Sequence, residues 1–228
     1  MLSNATFGTY CLRFYSDMAR LFNRNFIVGV TGSIAAYKAA ELTRSLIREG
    51  ASVRVIMTEG ACEFITPLTL QALSGHEVHT DLLDTEAEAA MGHIELARWA
   101  DALLIAPASA DSIARLVQGR ADDLLGACAL ATPAPIFVAP AMNQEMWAKQ
   151  ATQDNVQTLV ARGITLLGPS SGSQACGDVG AGRLLEPDLI VSAVSEQLST
   201  GTLAGRHVVI TAGPTREPIC PVRYISNR

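Results

Sequence analysis

Short β-rich runs alternate with helical stretches along most of this chain, and that alternation constrains the fold more than any single motif. Strands separated by helices form a parallel sheet covered on both faces, so the expected class is α/β. Residues 26–30 read as a first strand, and residues 34–48 as a helix with apolar positions at helical spacing, ended by Gly50. Further strands are expected at 52–57, 102–106, 134–139 and 164–167, with helices at about 109–117, 122–131 and 189–198. In such a sheet, ligands bind at the carboxyl ends of the strands.

The 228 residues suffice for one well-buried domain plus a fragment, and 49% hydrophobic with 17% charged residues describes an ordinary globular protein. A net charge of -5 and only 5% aromatics argue against a nucleic-acid surface. No apolar run approaches the roughly 18 residues of a membrane span. The five cysteines, Cys11, Cys62, Cys128, Cys176 and Cys220, are odd in number and form no C-x-x-C pair. That usage points to reduced thiols in a cytoplasm and away from structural zinc. Residues 1–25, with Arg13, Arg20 and Arg24 among Tyr, Phe and Leu, lack the apolar core of a secretory signal and read as a start-site extension or a surface helix.

Three strand exits carry candidate binding chemistry. Gly29-Val30-Thr31-Gly32-Ser33-Ile34-Ala35-Ala36-Tyr37-Lys38 joins the first strand to the first helix and offers N–H groups and a hydroxyl to an anion. It fits neither G-x-G-x-x-G nor a P-loop, and Glu59 lies too far on to be the ribose-binding acid of a dinucleotide site. The same turn serves equally as one that lets a helix pack closely. Pro107-Ala108-Ser109-Ala110-Asp111-Ser112 is a second hydroxyl-rich junction, or simply a good N-cap. Pro140-Ala141-Met142-Asn143-Gln144-Glu145-Met146-Trp147 is the third, with Asn143 placed to begin or cap a helix.

Between residues 168 and 187 the composition turns to Ser, Gly, Cys and Asp, as in a functional or disordered loop. Cys176 stands within it and could deliver a proton from a mobile flap, or be incidental. His93, at a helix entrance, is a candidate base or a cap. His76 and His79 form an H-x-x-H spacing without a third ligand, so no metal site is expected. Cys62 and Cys128 fall in helical patterns as small core residues. Residues 199–205 read as a linker, and residues 206–228 as the start of a second α/β domain.

Together these pieces resemble the homo-oligomeric flavin-containing cysteine decarboxylases, and within them the decarboxylase half of bacterial bifunctional proteins of coenzyme A biosynthesis. The carriers are Gly32-Ser33-Ile34-Ala35, Gly92-His93-Ile94-Glu95-Leu96, Ala106-Pro107-Ala108-Ser109-Ala110-Asp111, the run from Pro140 to Trp147, and Ala175-Cys176-Gly177-Asp178, in that order. Thr211-Ala212-Gly213-Pro214-Thr215-Arg216-Glu217-Pro218 and Tyr224-Ile225-Ser226-Asn227 look like the start of the partner half, a phosphopantothenate-cysteine ligase.

The resemblance implies a Rossmann-like (flavodoxin-like) domain over residues 26–198 and a ligase domain cut short after residue 228. It implies FMN bound by Gly32, Ser33, Ile34, Thr58, Ser109, Ala110, Asp111, Ser112 and Ala141. His93 is then the base, Asn143 with Met146 contacts the substrate, and Cys176 is the proton donor. The implied reaction converts 4'-phosphopantothenoylcysteine to 4'-phosphopantetheine and carbon dioxide, because oxidising the thiol supplies the electron sink that a cysteinyl carboxylate lacks. CTP and Mg2+ belong to the ligase half alone. A trimer-based assembly, often a dodecamer, is implied, with neither nucleic acid nor membrane as partner.

Two departures stand out. Asp111 and Asp122 occupy positions where many relatives have Asn, putting a carboxylate near an anionic ligand unless it is paired or turned away. Cys220 stands where the ligase half usually has Asp. A flavin prenyltransferase shares the fold but should lack the combination of His93, Asn143 and Cys176. A catalytically silent regulatory flavoprotein is a further alternative, which the retention of all three residues argues against. An NAD-dependent Rossmann enzyme is disfavoured by the absent fingerprint.

Overall fold

The computed structural model describes residues 20–82, 92–175, 177–199, 216–218 and 224–226, the last two segments as backbone only. Residues 1–19, Cys176, residues 200–215 and Cys220, for which the sequence carries expectations, lie outside the described residues. The chain divides into two units, Met1–Leu198 and Ser199–Arg228. In the second, β9 (Arg216–Pro218) pairs antiparallel with β10 (Tyr224–Ser226).

The first unit is built on six parallel strands: β1 (Asn25–Val30), β2 (Ser52–Met57), β3 (Val78–His79), β4 (Ala102–Ala108), β5 (Ile136–Pro140) and β6 (Thr165–Leu166). Their order is β3-β2-β1-β4-β5-β6, the doubly wound Rossmann arrangement, whose direction reverses between β1 and β4. The helices are α1 (Lys38–Arg48), α2 (Glu59–Cys62), α3 (Pro67–Ser74), α4 (Gly92–Trp99), α5 (Ala110–Gln118), α6 (Leu124–Ala131), α7 (Gln144–Ala148), α8 (Gln150–Ala161) and α9 (Pro187–Leu198).

Alternation along each strand splits the apolar side chains between two cores. Phe26, Val28 and Val30 of β1 join Val53, Val55, Leu104 and Phe137 and meet Leu42 and Leu46 of α1 and Ile190 and Val194 of α9. Ile27, Ile56, Leu103, Ile105 and Val138 point the other way, against Leu96, Ile113, Leu125, Cys128 and Leu159. Both faces are therefore dry, which is why these strands read as continuous apolar runs rather than alternating ones.

Several boundaries differ from the sequence reading. Leu21 is buried in the first core and its N–H donates to the Glu49 carbonyl at 2.8 Å, so residues 20–25 pack with the domain. The expected first helix opens as a 3-10 turn, Ile34–Tyr37, before α1 begins. The two-residue strand β3 was not anticipated, because a segment this short carries no periodicity. His79 stands in it beside exposed His76, and among the described residues no group of three His, Cys, Asp or Glu is placed to hold a metal.

The glycine-rich stretch is not an irregular loop. It forms an antiparallel hairpin of β7 (Ser170–Ser173) and β8 (Val179–Arg183). The helix expected from residue 122 begins instead at Leu124, because the Asp123 carboxylate accepts from Gly126 N–H at 2.7 Å and caps it. Replacing Asp123 by Ala should cost about 1 kcal/mol, read as a lower urea midpoint at unchanged slope. A midpoint equal to that of the parent protein would show that the cap contributes nothing.

Candidate functional site

Three strand exits on either side of the β1/β4 switch point are tied together by hydrogen bonds. Buried Thr31, one residue past β1, donates from Oγ1 to the Pro107 carbonyl at 2.8 Å and accepts from Ser109 N–H at 2.9 Å. Ala141 N–H donates to the Ala108 carbonyl at 3.0 Å, and Ser33 Oγ donates to the Ala141 carbonyl at 3.4 Å. The turns after β1, β4 and β5 are thus joined in one hydrogen-bonded set. Thr31 escaped the sequence reading because its value lies in bonds to a segment 76 residues away.

These turns floor a cavity of about 670 Å³, within the usual size of a small-molecule site. Gly32, Ser33, Ile34, Ser109, Ala110, Ala141, Asn143 and Met146, all singled out in the sequence, line it together. Ala35, Met142, Ser173, Gln174, Ala175 and Leu184 complete the described wall, with Tyr37, Lys38 and Arg183. Ser33 caps the 3-10 turn by accepting from Ala35 N–H at 3.3 Å, and Ser109 caps α5 by accepting from Ser112 N–H at 3.2 Å. The first N–H groups of a helical turn have no partner within it, so both caps face the cavity as anion-tolerant ends. Gly32 lets this turn approach the Gly60 backbone closely, since a Cβ there would stand 3.2 Å from it and force that backbone to give by a few tenths of an ångström.

The hairpin closes one side. Met142 N–H donates to the Gly182 carbonyl at 2.9 Å, Gln144 N–H to Gln174 Oε1 at 3.0 Å, and Asn143 Nδ2 to Asp178 Oδ2 at 3.1 Å. Asn143 Oδ1 meanwhile accepts from Glu145 N–H at 2.8 Å, which is the expected helix cap. One amide therefore fixes the start of α7 and reaches the loop that contains residue 176.

The remaining predicted residues that are described, Thr58, Asp111, Ser112 and His93, lie outside the cavity wall. Thr58 precedes α2 beside the Gly32 turn, its N–H on the Val30 carbonyl at 3.0 Å. Ser112 is buried with its hydroxyl 3.0 Å from that of Ser109, supporting the cap rather than facing the cavity. Asp111 is exposed and bound to Arg115 at 2.8 Å, and Asp122 is bound by Arg115 and Arg120. The Arg120 hydrogen bond holds the Asp122 carboxyl below the usual range, and both departures from the family pattern are thus paired.

His93 opens α4, which packs on the face opposite α1, and does not line this cavity. Its carbonyl accepts from Cys128 Sγ at 3.5 Å. Burial pushes the Cys128 thiol up to about 12, so it stays protonated and inert near neutral pH. Iodoacetamide at pH 8 should leave Cys128 unmodified in the folded protein, checked by peptide mass mapping. Modification at the rate of an exposed thiol would contradict its burial.

Comparison with known proteins identifies the scaffold. A family model described as Flavoprotein matches residues 16–199. The chain belongs to this flavoprotein family. A second model, the DNA/pantothenate metabolism flavoprotein C-terminal domain, matches residues 203–228 of the flavoprotein. It is 60% identical over 209 residues to the coenzyme A biosynthesis bifunctional protein CoaBC of Haemophilus influenzae, an alignment taking in 91% of this chain and 52% of that one. The flavoprotein spans about half the length of the curated relatives it matches.

Among solved structures, a mutant PPC decarboxylase complexed with pantothenoylaminoethenethiol aligns with a TM-score of 0.69 at 33% identity, covering 78% of this chain and 99% of that one. The FMN binding protein AtHal3 aligns with a TM-score of 0.66 at 35% identity, covering 77% and 96%. The cavity itself suits a flavin. Ile34, Met142, Met146 and Leu184 offer apolar surface to a flat ring, while the Ser33 and Ser109 caps offer hydroxyls and N–H groups to an anionic tail.

Proposed function

We propose that this flavoprotein decarboxylates 4'-phosphopantothenoylcysteine to 4'-phosphopantetheine, with FMN as its flavin. The observation that carries the reading is the convergence of the Ser33 and Ser109 caps, the Asn143 amide and the hairpin around one cavity. The match to PPC decarboxylase over 99% of that chain supports it. Gly32, Ser33, Ile34, Ser109, Ala110 and Ala141 would hold the flavin, with Thr58, Asp111 and Ser112 shaping the turns behind them. Bound flavin supplies a two-electron acceptor and donor.

The chain's own groups manage binding and protons. Asn143 Nδ2 exchanges Asp178 for the substrate carboxylate and orients it without a full opposing charge, so the group can leave as carbon dioxide. Met146 packs against the substrate beside it. His93 accepts the proton released when the cysteinyl thiol is oxidised. Cys176 Sγ returns a proton to the enethiolate carbon left after decarboxylation.

Because His93 does not line the cavity of its own chain, we place it in the site of a neighbouring copy within a trimer-based assembly, up to a dodecamer. The setting we propose is cytoplasmic; among the described residues no helix is long and apolar enough to cross a membrane. In a longer parent, the domain begun at residues 206–228, after the linker at 199–205, would join cysteine to 4'-phosphopantothenate with CTP and Mg2+.

The test is carbon dioxide release from carboxyl-labelled substrate by wild type and Cys176→Ser. Both should release label, and the variant should accumulate the unsaturated thiol instead of 4'-phosphopantetheine. The PPC decarboxylase mutant complexed with pantothenoylaminoethenethiol is consistent with that expectation. Normal product from the variant at the wild-type rate would remove Cys176 as the donor, and no label from wild type would remove the reaction.

A further inference from the structure

Among the described residues lining the cavity, Lys38 and Arg183 are the two cationic side chains and none is a carboxylate. Lys38 opens α1 with its side chain only 10% exposed, an expensive place for an ammonium without a partner. Glu186, outside the cavity wall, supplies that partner. Both carboxylate oxygens accept from Lys38 Nζ at 3.0 Å, and Oε1 also accepts from Arg183 Nη2 at 2.8 Å. Arg183 sits at the end of β8 with its backbone held by Ser170, whose hydroxyl donates to the Arg183 carbonyl at 3.2 Å. Gly172 across the hairpin leaves the guanidinium its room, since a Cβ there would stand 3.3 Å from Nη1.

Two positive charges therefore share one carboxylate. An ammonium has three donors and a guanidinium five, so both keep donors for a ligand after serving Glu186. A phosphomonoester, with a charge near -2 and three acceptor oxygens, matches that surplus and that donor set. The Ser33 and Ser109 caps are a separate anion-tolerant feature of the same cavity, built from hydroxyls and N–H groups alone.

We propose that Lys38 and Arg183, positioned by Glu186, form a phosphomonoester subsite that takes the distal phosphate of the substrate and sets the preference for phosphorylated over unphosphorylated pantothenoylcysteine. This rests on the proposed function for its substrate class. Glu186 is a positioning residue: it holds both cations extended toward one point and is not itself a ligand.

The experiment compares wild type, Lys38→Gln, Arg183→Gln and Lys38→Arg as flavin-loaded proteins. One arm measures kcat/KM for 4'-phosphopantothenoylcysteine against pantothenoylcysteine. A second measures binding of 4'-phosphopantetheine against pantetheine by calorimetry, which needs no turnover. A third measures FMN against riboflavin binding after flavin removal. Wild type should prefer the phosphorylated member in the first two arms, each Gln variant should lose about tenfold or more of that preference through KM and Kd, and Lys38→Arg should retain most of it. Preference kept in both Gln variants, or absent from wild type, overturns the subsite. Loss confined to the FMN and riboflavin arm overturns its assignment to the substrate. If Lys38→Gln does not fold, Arg183→Gln on the exposed hairpin decides alone. A phosphate preference in calorimetry that the Gln variants lose, without any decarboxylation by wild type, would support the subsite while removing the proposed reaction.

Discussion

Replacing His93 by Asn should lower decarboxylation by on the order of 10²–10⁴-fold while leaving the melting temperature nearly unchanged. Asn keeps a polar side chain at the start of α4 and leaves the His93 carbonyl free to accept from Cys128 as before. What it removes is an imidazole able to take a proton near neutral pH. The placement of His93 away from the cavity of its own chain adds a sharper expectation. Coexpressed His93→Asn and Asn143→Ala chains, each inactive alone, should recover activity in mixed assemblies, because one interface then combines an intact His93 with an intact Asn143. Mixed assemblies as inactive as either parent would show that the two residues do not serve a shared site. Near-wild-type turnover by His93→Asn would remove it as the base.

The second large effect is expected at Gly182. Its φ of 133° lies where side-chain-bearing residues are strained, and a Cβ would stand 2.5 Å from the Met142 carbonyl. Gly182→Val must therefore push β8 away from the turn before α7 and break the Met142 N–H bond to the Gly182 carbonyl. Substrate KM should rise at least tenfold, since Asn143 and the hairpin lose their common register, while the sheet core remains folded. Gly163→Ala is the control: φ is 85° there but nothing lies within 4 Å of the added Cβ, so only backbone strain of about 1 kcal/mol is expected. Equal KM for Gly182→Val and wild type would show that the hairpin does not shape the site.

The Lys38, Arg183 and Glu186 cluster also has an acid signature. The Lys38 hydrogen bond, with a lesser contribution from Arg183, holds the Glu186 carboxyl below its usual range. A carboxylate with a depressed folded-state pKa stabilises the fold above its ordinary titration range and loses that contribution as pH falls through the depressed value. The pair is half-exposed on the Glu186 side, so the effect on global stability is small. Phosphate discrimination, by contrast, depends on the cluster staying charged.

The alternation of apolar runs with helices made the doubly wound sheet legible, because strands buried on both faces must be apolar throughout, as residues 102–106 are. Cap chemistry made Ser33, Ser109 and Asn143 legible, since a hydroxyl or amide followed by a helical pattern has a local meaning. The hairpin was not legible. Ser170–Ser173 and Val179–Arg183 lack apolar alternation, and their pairing is fixed by contact with α7 rather than by their own composition. Lys38, Arg183 and Glu186 are not legible either: separations of 148 and 3 residues carry no motif, and it is the packing of α1 against α9, which Glu186 precedes, that brings Lys38 to Glu186.

Decarboxylation is tested by mass spectrometry of the products after the flavin-loaded protein is incubated with 4'-phosphopantothenoylcysteine. The substrate should be converted to 4'-phosphopantetheine, with wild type turning over many times per active site. Recovery of unchanged substrate from protein that shows an oxidised-flavin spectrum would contradict it.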